Sequence, residues 1–289
     1  MVKYAFIDSL RSEYAIVKMC RWLGVSRAGY YKWRCRSLSP RRKLRQRVEG
    51  AVVETFERFK HRYGAPRLTV ELNELGVACS RNHVAKLLSE NNLKARNGKR
   101  YKYFPGQQAR THLCDNELKR DFSASKPNEK WVSDITYIKI QKGYVYLAVV
   151  MDLFSRKIVG WSLDKSMTNK LVMDAFKMAV SGRKVKPGLL LHSDRGVQYR
   201  SCEYHDLLYD HGVKPSMSRK GNCWDNAAME SFFARLKVEH IYYEELNTQA
   251  DVYSAVFEYI EVFYNRQRRH SANGYCSPVQ YEQQQAKLA

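Results

Sequence analysis

Three acidic residues stand where packing and solubility give no reason for them. Asp134 lies inside "VSDITYI", a run of strand formers in which aspartate is disfavoured. Asp194 ends the apolar run "LLLHSD" and is followed at once by Arg195 and Gly196. Glu230 lies in "NAAMESFFARLK", with 35 residues between it and Asp194. Taken alone, Asp194 reads as an ordinary turn aspartate. Taken together, three gathered carboxylates would repel one another and resist ionising. Divalent cations remove that cost, and magnesium prefers carboxylate and water oxygens while keeping positions open for phosphate. Two such ions about 4 Å apart can activate an attacking oxygen and stabilise a leaving one in an in-line displacement at phosphorus. The chemistry expected of the trio is therefore an in-line displacement at phosphorus.

Lys237 follows Glu230 by seven residues, almost two helical turns, so both fall on one helix face. A cation there suits the phosphates of a bound nucleic acid. His192, beside Asp194, reads more readily as a packed or hydrogen-bonded histidine than as a ligand. Trp224, Asp225 and Asn226 precede the Glu230 helix, and Asp225 or Asn226 is its expected N-cap. Gly196 is expected to permit the turn after Asp194, with Gln198 and Tyr199 settling that loop. Arg219 and Lys220, followed by Gly221 and Asn222, form a basic loop suited to DNA. In "NRQRRHS", Arg268 and Arg269 suit either phosphate contact or anchoring of the C-terminal helix.

The elements that must position these residues can be read from periodicity. "WVSDITYIKI", "GYVYLAVVMDL" and "SRKIVGWSL" read as a three-stranded meander. A helix over about 168–181 follows, with Leu171, Val172, Ala175 and Met178 inward. The strand "LLLH", a helix near 201–211, the short strand "VKPSMS" and the long Glu230 helix complete a mixed-sheet α/β pattern.

The front of the chain is different. Residues 1–130 carry 29 Lys and Arg against 12 Asp and Glu, whereas residues 131–289 carry 21 against 17. The net charge of +21 is thus concentrated in a segment suited to a polyanion. Residues 14–34 outline a helix, a break at Gly24 and a second helix capped by Ser26, bearing Arg27 and Lys32. Residues 41–60 place Leu44, Val48, Val52, Phe56 and Phe59 on one helical face. A second turn-joined pair follows, with Pro66 in a first turn, a break at Gly76, a cap at Ser80 and Arg81 just beyond it. Arg100 and Lys102 sit among Tyr101, Tyr103 and Phe104, a mixture suited to phosphates and bases. The expected organisation is a helix-turn-helix segment over 1–40, a second over 41–105, a linker over 106–128 and a catalytic core over 129–289.

No apolar stretch approaches the roughly 18 residues of a membrane span, so no membrane partner is expected. Seven scattered cysteines without a C-x-x-C pair read as reduced thiols of a cytoplasmic protein.

"SDITYI", "HSDRGVQY" and "GNCWDNAAMESFFARLK" resemble the D-D-E signature of retroviral-integrase-like transposases, with the same 35-residue interval. "YNRQRRHSANGYCSPVQY" resembles the closing motif of the second-frame (OrfB-type) proteins of bacterial insertion sequences of the IS-three group. The basic front resembles that group's helix-turn-helix region, so the likeness spans nearly the whole chain. It implies an RNase H-like five-stranded mixed sheet flanked by helices, behind an all-α DNA-binding region. It implies metal-bound Asp134, Asp194 and Glu230, two Mg2+ ions with Mn2+ able to substitute, and cleavage by water followed by joining through a freed 3′-hydroxyl. The implied partners are the element's terminal inverted repeats, target DNA, further copies of the chain on DNA, and an upstream-frame (OrfA-type) protein or a fusion with it. No sustained heptad run is visible, so that upstream part is expected to be absent here. No N-terminal His/Cys module is present, and no zinc is expected. The expected location is the bacterial cytoplasm, at the nucleoid when DNA is bound. Two rival readings are a non-catalytic DNA-binding regulator of transposition and an RNase H-type nuclease.

Overall fold

The computed structural model describes residues 2–35, 39–96, 113–219 and 223–288. Three short helices open it: α1 (Val2–Ser9), α2 (Ile16–Trp22) and α3 (Arg27–Arg34). They enclose a small core of Ile7, Met19, Cys20 and Tyr30. Three more follow: α4 (Pro40–Arg58), α5 (Ala65–Glu74) and α6 (Arg81–Glu90). The two turn-joined pairs are built alike. Gly24 and Gly76 take φ of +61° and +76°, left-handed values that glycine reaches without steric cost and that end a helix. Ser26 and Ser80 then accept from the backbone N–H three residues on, capping α3 and α6.

Strands β1 (Lys130–Ile140), β2 (Gly143–Asp152) and β3 (Ile158–Asp164) form the expected antiparallel meander. Helix α7 (Asn169–Ser181), β4 (Leu190–Ser193), α8 (Cys202–Asp210) and β5 (Lys214–Met217) follow. β4 pairs parallel with β1, and β5 parallel with β4, giving a five-stranded mixed sheet in the order β3-β2-β1-β4-β5. The chain then runs through α9 (Ala227–Glu239) and α10 (Gln249–Phe257), which continues as a π-helix over Glu258–Tyr264, and ends in α11 (Pro278–Leu288).

Strand alternation sorts the sheet's side chains between two layers. Trp131, Ala148 and Val150 pack with α7 and α8. Val132, Ile138, Val145, Leu147 and Val149 face the opposite way, into a cluster with α9 and α10. Asp134 shares the parity of Val132 and Ile138, which directs it to the α9 layer. That second cluster also takes in Val48, Val52 and Phe56 of α4 and Leu68 and Leu72 of α5. The basic helical segment and the sheet therefore share one continuous apolar core.

Two expected inward residues are not inward: Leu44 is 60% exposed and Met178 39%. Met178 nevertheless reaches the sheet, its sulfur accepting from the Trp161 N–H of β3 at 3.3 Å. Residues 113–125, read from sequence as linker, pack along β5. Leu118 is buried, and the backbone N–H of Glu117 donates to Ser216 Oγ at 2.9 Å. Among the described residues no helix is long and apolar enough to cross a membrane.

Candidate active site

The β1–β4 register aligns Val132 with His192. β4 ends at Ser193, so Asp194 leaves its tip, while Asp134 lies two residues beyond the last aligned pair on β1, close enough for the Asp194 charge to act on it. Asp134 Oδ1 accepts from the Ile135 backbone N–H at 2.7 Å. Asp194 Oδ1 accepts from the Gly196 N–H at 2.8 Å. Gly196 has an ordinary φ of −57°, so the turn itself does not demand glycine. Space does: a Cβ there would lie 2.9 Å from Asp194 Oδ1. The loop is held by buried Tyr199, whose hydroxyl shares a 2.9 Å hydrogen bond with Ser133 Oγ, and by Gln198, which donates to the Met167 carbonyl at 2.8 Å.

Glu230 lies in the first turn of α9 and is exposed. Burial pushes the Asp134 carboxyl well above the usual range, and the charges of Asp194 and then Glu230 push it further. Burial also raises Asp194, against the Gly196 N–H and the Arg200 charge, and it raises Glu230. Among the described residues no three His, Cys, Asp or Glu side chains form a ready-made metal cage. The arrangement is thus an aspartate pair with a third carboxylate in electrostatic reach. Oxygen donors that resist ionising together fit a hard divalent cation, whose charge offsets their repulsion.

Lys237 is buried, with Nζ 4.7 Å from the centre of the Tyr137 ring. Burial lowers its amine to about 8, and Asp134 opposes the shift. Nearby, His192 is fully buried between Ser216 Oγ (2.8 Å) and Ser218 Oγ (3.1 Å). Burial brings it down to about 4, so it is a neutral link between strands.

Asp225 is not a helix cap. It is fully buried and accepts from Arg219 N, Nε and Nη2 (2.9, 3.1 and 3.1 Å), Arg120 Nε (2.8 Å) and Asn116 Nδ2 (2.8 Å). These partners, the Arg219 hydrogen bond foremost, hold its carboxyl well below the ordinary range. Asn226 occupies the N-cap position but caps nothing with its side chain; its Nδ2 donates to the Ser133 carbonyl at 3.3 Å. The short segment leading into α9 is therefore pinned to β1 and to residues 116–120. Sequence reasoning missed Asn116 and Arg120, and no local signal marks them, since their partner is more than 100 residues away.

Residues 124–223 match the model described as Integrase core domain, residues 230–285 match a second of that description, and residues 43–101 match an HTH-like domain. The chain is 43% identical over 283 residues to the Escherichia coli protein "Transposase InsF for insertion sequence IS3A", covering 97% of this chain and 98% of that one. The chain belongs to the IS3 transposase family. A further relative, the Shigella sonnei "Insertion element IS600 uncharacterized 31 kDa protein", is 37% identical over 94% of this chain and 100% of its own. Among solved structures, a simian T-cell lymphotropic virus intasome aligns at TM-score 0.47 and 17% identity, over 80% of this chain and 73% of that one. The HTLV-2 integrase catalytic core domain in complex with magnesium aligns at 0.43 and 20%, over 55% and 98%.

Within this transposase fold the two core matches divide the acids, Asp134 and Asp194 in the first and Glu230 with Lys237 in the second. The residues expected at DNA are scattered. Arg27 and Lys32 are exposed on α3, and Arg81 is exposed at the start of α6. Arg219 is exposed but bound to Asp225. Lys220, Arg100 and Lys102 lie outside the described residues.

Arg268 and Arg269 require a correction as DNA-contacting residues. Both are buried and turned onto internal carboxylates. Arg268 grips Glu239 through Nε and Nη2, each at 2.7 Å, and Arg269 pairs with Glu71 at 2.6 Å and with Glu74. A guanidinium already desolvated and paired has no face left for a phosphate, so the anchoring alternative holds for both.

Proposed function

We propose that Asp134, Asp194 and Glu230 are the catalytic carboxylates and hold two Mg2+ ions, with Mn2+ able to substitute, for strand cleavage and strand transfer at the ends of an insertion sequence. One observation carries this reading: the β1–β4 pairing brings Asp134 and Asp194 to the same end of the sheet, where burial and then the Asp194 charge raise the Asp134 carboxyl. When bound, the ions would supply a nucleophile and stabilise the leaving oxygen. Asp134 and Asp194 offer their oxygens from a rigid sheet. Glu230 comes from a helix terminus and can join them when a cation draws it in. Lys237, buried beside Asp134, places a positive charge next to where a DNA phosphate would lie.

Arg27, Lys32 and Arg81 on the helical segments, with Arg100, Lys102, Arg219 and Lys220, are proposed to bind the terminal repeats and target. Two element ends must be handled together, which favours assembly of several copies on DNA, alone or with an upstream-frame partner, in the bacterial cytoplasm.

The test is a strand-transfer assay with the purified chain, a donor duplex bearing a free 3′-hydroxyl, a target duplex and Mg2+. Wild-type chain is expected to join them, and Asp194→Ala to abolish joining while leaving duplex affinity within about twofold. Joining by Asp194→Ala at the wild-type rate would end the assignment. An RNA–DNA hybrid in the same assay separates the nuclease reading, and duplex binding without any joining would favour the regulator.

A further inference from the structure

α9 carries Glu230 in its first turn and ends at Glu239, nine residues and about 13.5 Å further along its axis. Glu239 is 1% exposed. Its carboxylate takes both Arg268 bonds and a Tyr259 hydroxyl at 2.9 Å, and Arg67 Nη1 approaches Oε1 at 3.4 Å. Its backbone carbonyl accepts from Arg96 Nη1 at 2.8 Å and Arg62 Nε at 3.3 Å. Three of these arginines, at 62, 67 and 96, belong to the segment that matches the HTH-like domain. The last carbonyls of a helix usually turn to water. Here a separate part of the molecule supplies the partners, with charges that suit the negative end of the helix.

Adhesion alone does not call for this hub. α4 and α5 already bury Val52, Phe56, Leu68 and Leu72 against the shared core, and apolar burial is itself a strong source of adhesion. Buried ion pairs contribute little net stability, since desolvation cancels most of their attraction. What they add is direction: Arg268 grips the Glu239 carboxylate in bidentate fashion, while from the HTH-like segment Arg67 reaches that carboxylate and Arg62 and Arg96 hold the backbone carbonyl beside it. Arg62 is further fixed over the Phe263 ring at 4.4 Å, and Arg96 over the Tyr243 ring at 4.0 Å. A helix moves as a rigid rod over nine residues, so whatever sets the position of Glu239 also sets that of Glu230.

We infer that Glu239 is a positioning residue through which the HTH-like segment governs the placement of Glu230 against the aspartate pair, so that DNA held by that segment readies the active site. The inference rests on the catalytic reading of Glu230. It explains why Glu230 is within electrostatic reach of Asp134 without being gathered into a cage: the last adjustment is left to the seam.

The experiment uses the full chain and a terminal-repeat duplex without metal, and follows amide hydrogen exchange over residues 227–239. In the wild type, duplex is expected to slow exchange there by about fivefold or more, alongside protection in residues 40–96. Glu239→Gln keeps the shape and loses the charge. It is expected to bind duplex within about twofold of wild type, lose the added protection in α9, and transfer strands at least about tenfold more slowly at saturating DNA, with KM unchanged. Should Glu239→Gln fold poorly, Arg96→Ala, at the half-buried rim of the seam, is expected to show the same pattern more weakly. Duplex that protects residues 40–96 but leaves α9 exchange unchanged in the wild type would overturn the inference. So would a Glu239→Gln chain that keeps the duplex-induced protection. The exchange arm needs no chemistry, so an absence of strand transfer in the wild type would count against the catalytic reading and leave this one to be decided by exchange.

Discussion

Asp134 on β1 and Asp194 at the tip of the parallel strand β4 act on one another, and after burial the charge of Asp194 does most to raise the Asp134 carboxyl. The folded chain thus carries a cost that DNA chemistry would use and folding would not. With its pKa raised above the unfolded value, Asp134 binds a proton in the folded state through a window where the unfolded chain has released it. Stability falls as pH rises through that window, and at neutral pH the folded protein bears the penalty.

Asp134→Asn removes that penalty. It is expected to raise stability in metal-free buffer at neutral pH by roughly 0.5–2 kcal/mol, the range typical of relieving a functional strain. Strand transfer should vanish. Added Mg2+ should raise the Tm of the wild type, since a cation that binds only the folded state stabilises it, and should raise that of Asp134→Asn far less. Thermal melts with and without Mg2+ decide the matter. A variant less stable than wild type in metal-free buffer would show that the carboxylate is not under electrostatic stress.

Gly196 is needed for space beside a carboxylate rather than for backbone freedom. A Cβ 2.9 Å from Asp194 Oδ1 is closer than packed atoms tolerate, and the side-chain end is what can give way. Gly196→Ala is expected to fold, with Tm within a few degrees of wild type, and to displace the Asp194 carboxylate. A misplacement of about 1 Å at a reacting centre costs on the order of a hundredfold in rate. Strand-transfer kinetics on saturating DNA would measure it, and an unimpaired rate would mean that the loop relaxes without moving Asp194.

What was legible in the sequence was local. Ser26 and Ser80 cap their helices because a cap depends on residues three positions on. The meander shows as a switch from helical to twofold periodicity. Asp134 could be singled out because it stands in a run of strand formers, where an aspartate needs a reason. The seam was not legible. Arg268 and Arg269 follow one another in a basic run that reads as a DNA-facing patch, yet their partners are Glu239, Glu71 and Glu74, the last two nearly 200 residues upstream. Asp225 looks like a cap from its neighbours alone, and only the tertiary fold brings Asn116 and Arg120 to it. Ion pairs leave no periodic trace, so charge runs mark a surface and a buried network equally well.

Asp225 holds the approach to α9, and its removal should tell on stability first. Breaking a fully buried pair typically costs about 3–5 kcal/mol, because the partner is stranded without water. Here the partners are not stranded: the Arg120 and Arg219 side chains are 45% and 56% exposed and can turn to solvent. Asp225→Ala is therefore expected to cost less, roughly 1–3 kcal/mol, from the loss of the hydrogen bonds that Asn116, Arg120 and Arg219 make to the carboxylate. Urea denaturation followed by tryptophan fluorescence would give the value. A loss under about 0.5 kcal/mol would mean that the segment before α9 is not held by this carboxylate.

Acid should open the seam between the helical segment and the core. His240 is fully buried and is brought down to about 4 by burial and by Arg62 beside it. His270 is likewise down to about 4, from burial and the Arg268 charge. Both are neutral in the folded protein, while in the unfolded chain they protonate near 6.5. Between those values the unfolded state binds more protons at these two sites, so their contribution to stability falls as pH drops from about 6.5 to about 4, opposite in sign to that of Asp134. Each histidine contributes at most roughly 3 kcal/mol to that loss, and His270, which keeps some solvent contact, contributes less. Urea unfolding at several pH values across the window should show the slope. His270→Asn, which retains an acceptor for the Ala272 N–H now taken by Nδ1, should make it shallower without lowering stability at pH 7 by more than about 1 kcal/mol. Equal pH slopes in the wild type and His270→Asn would mean that this imidazole can accept a proton inside the folded chain.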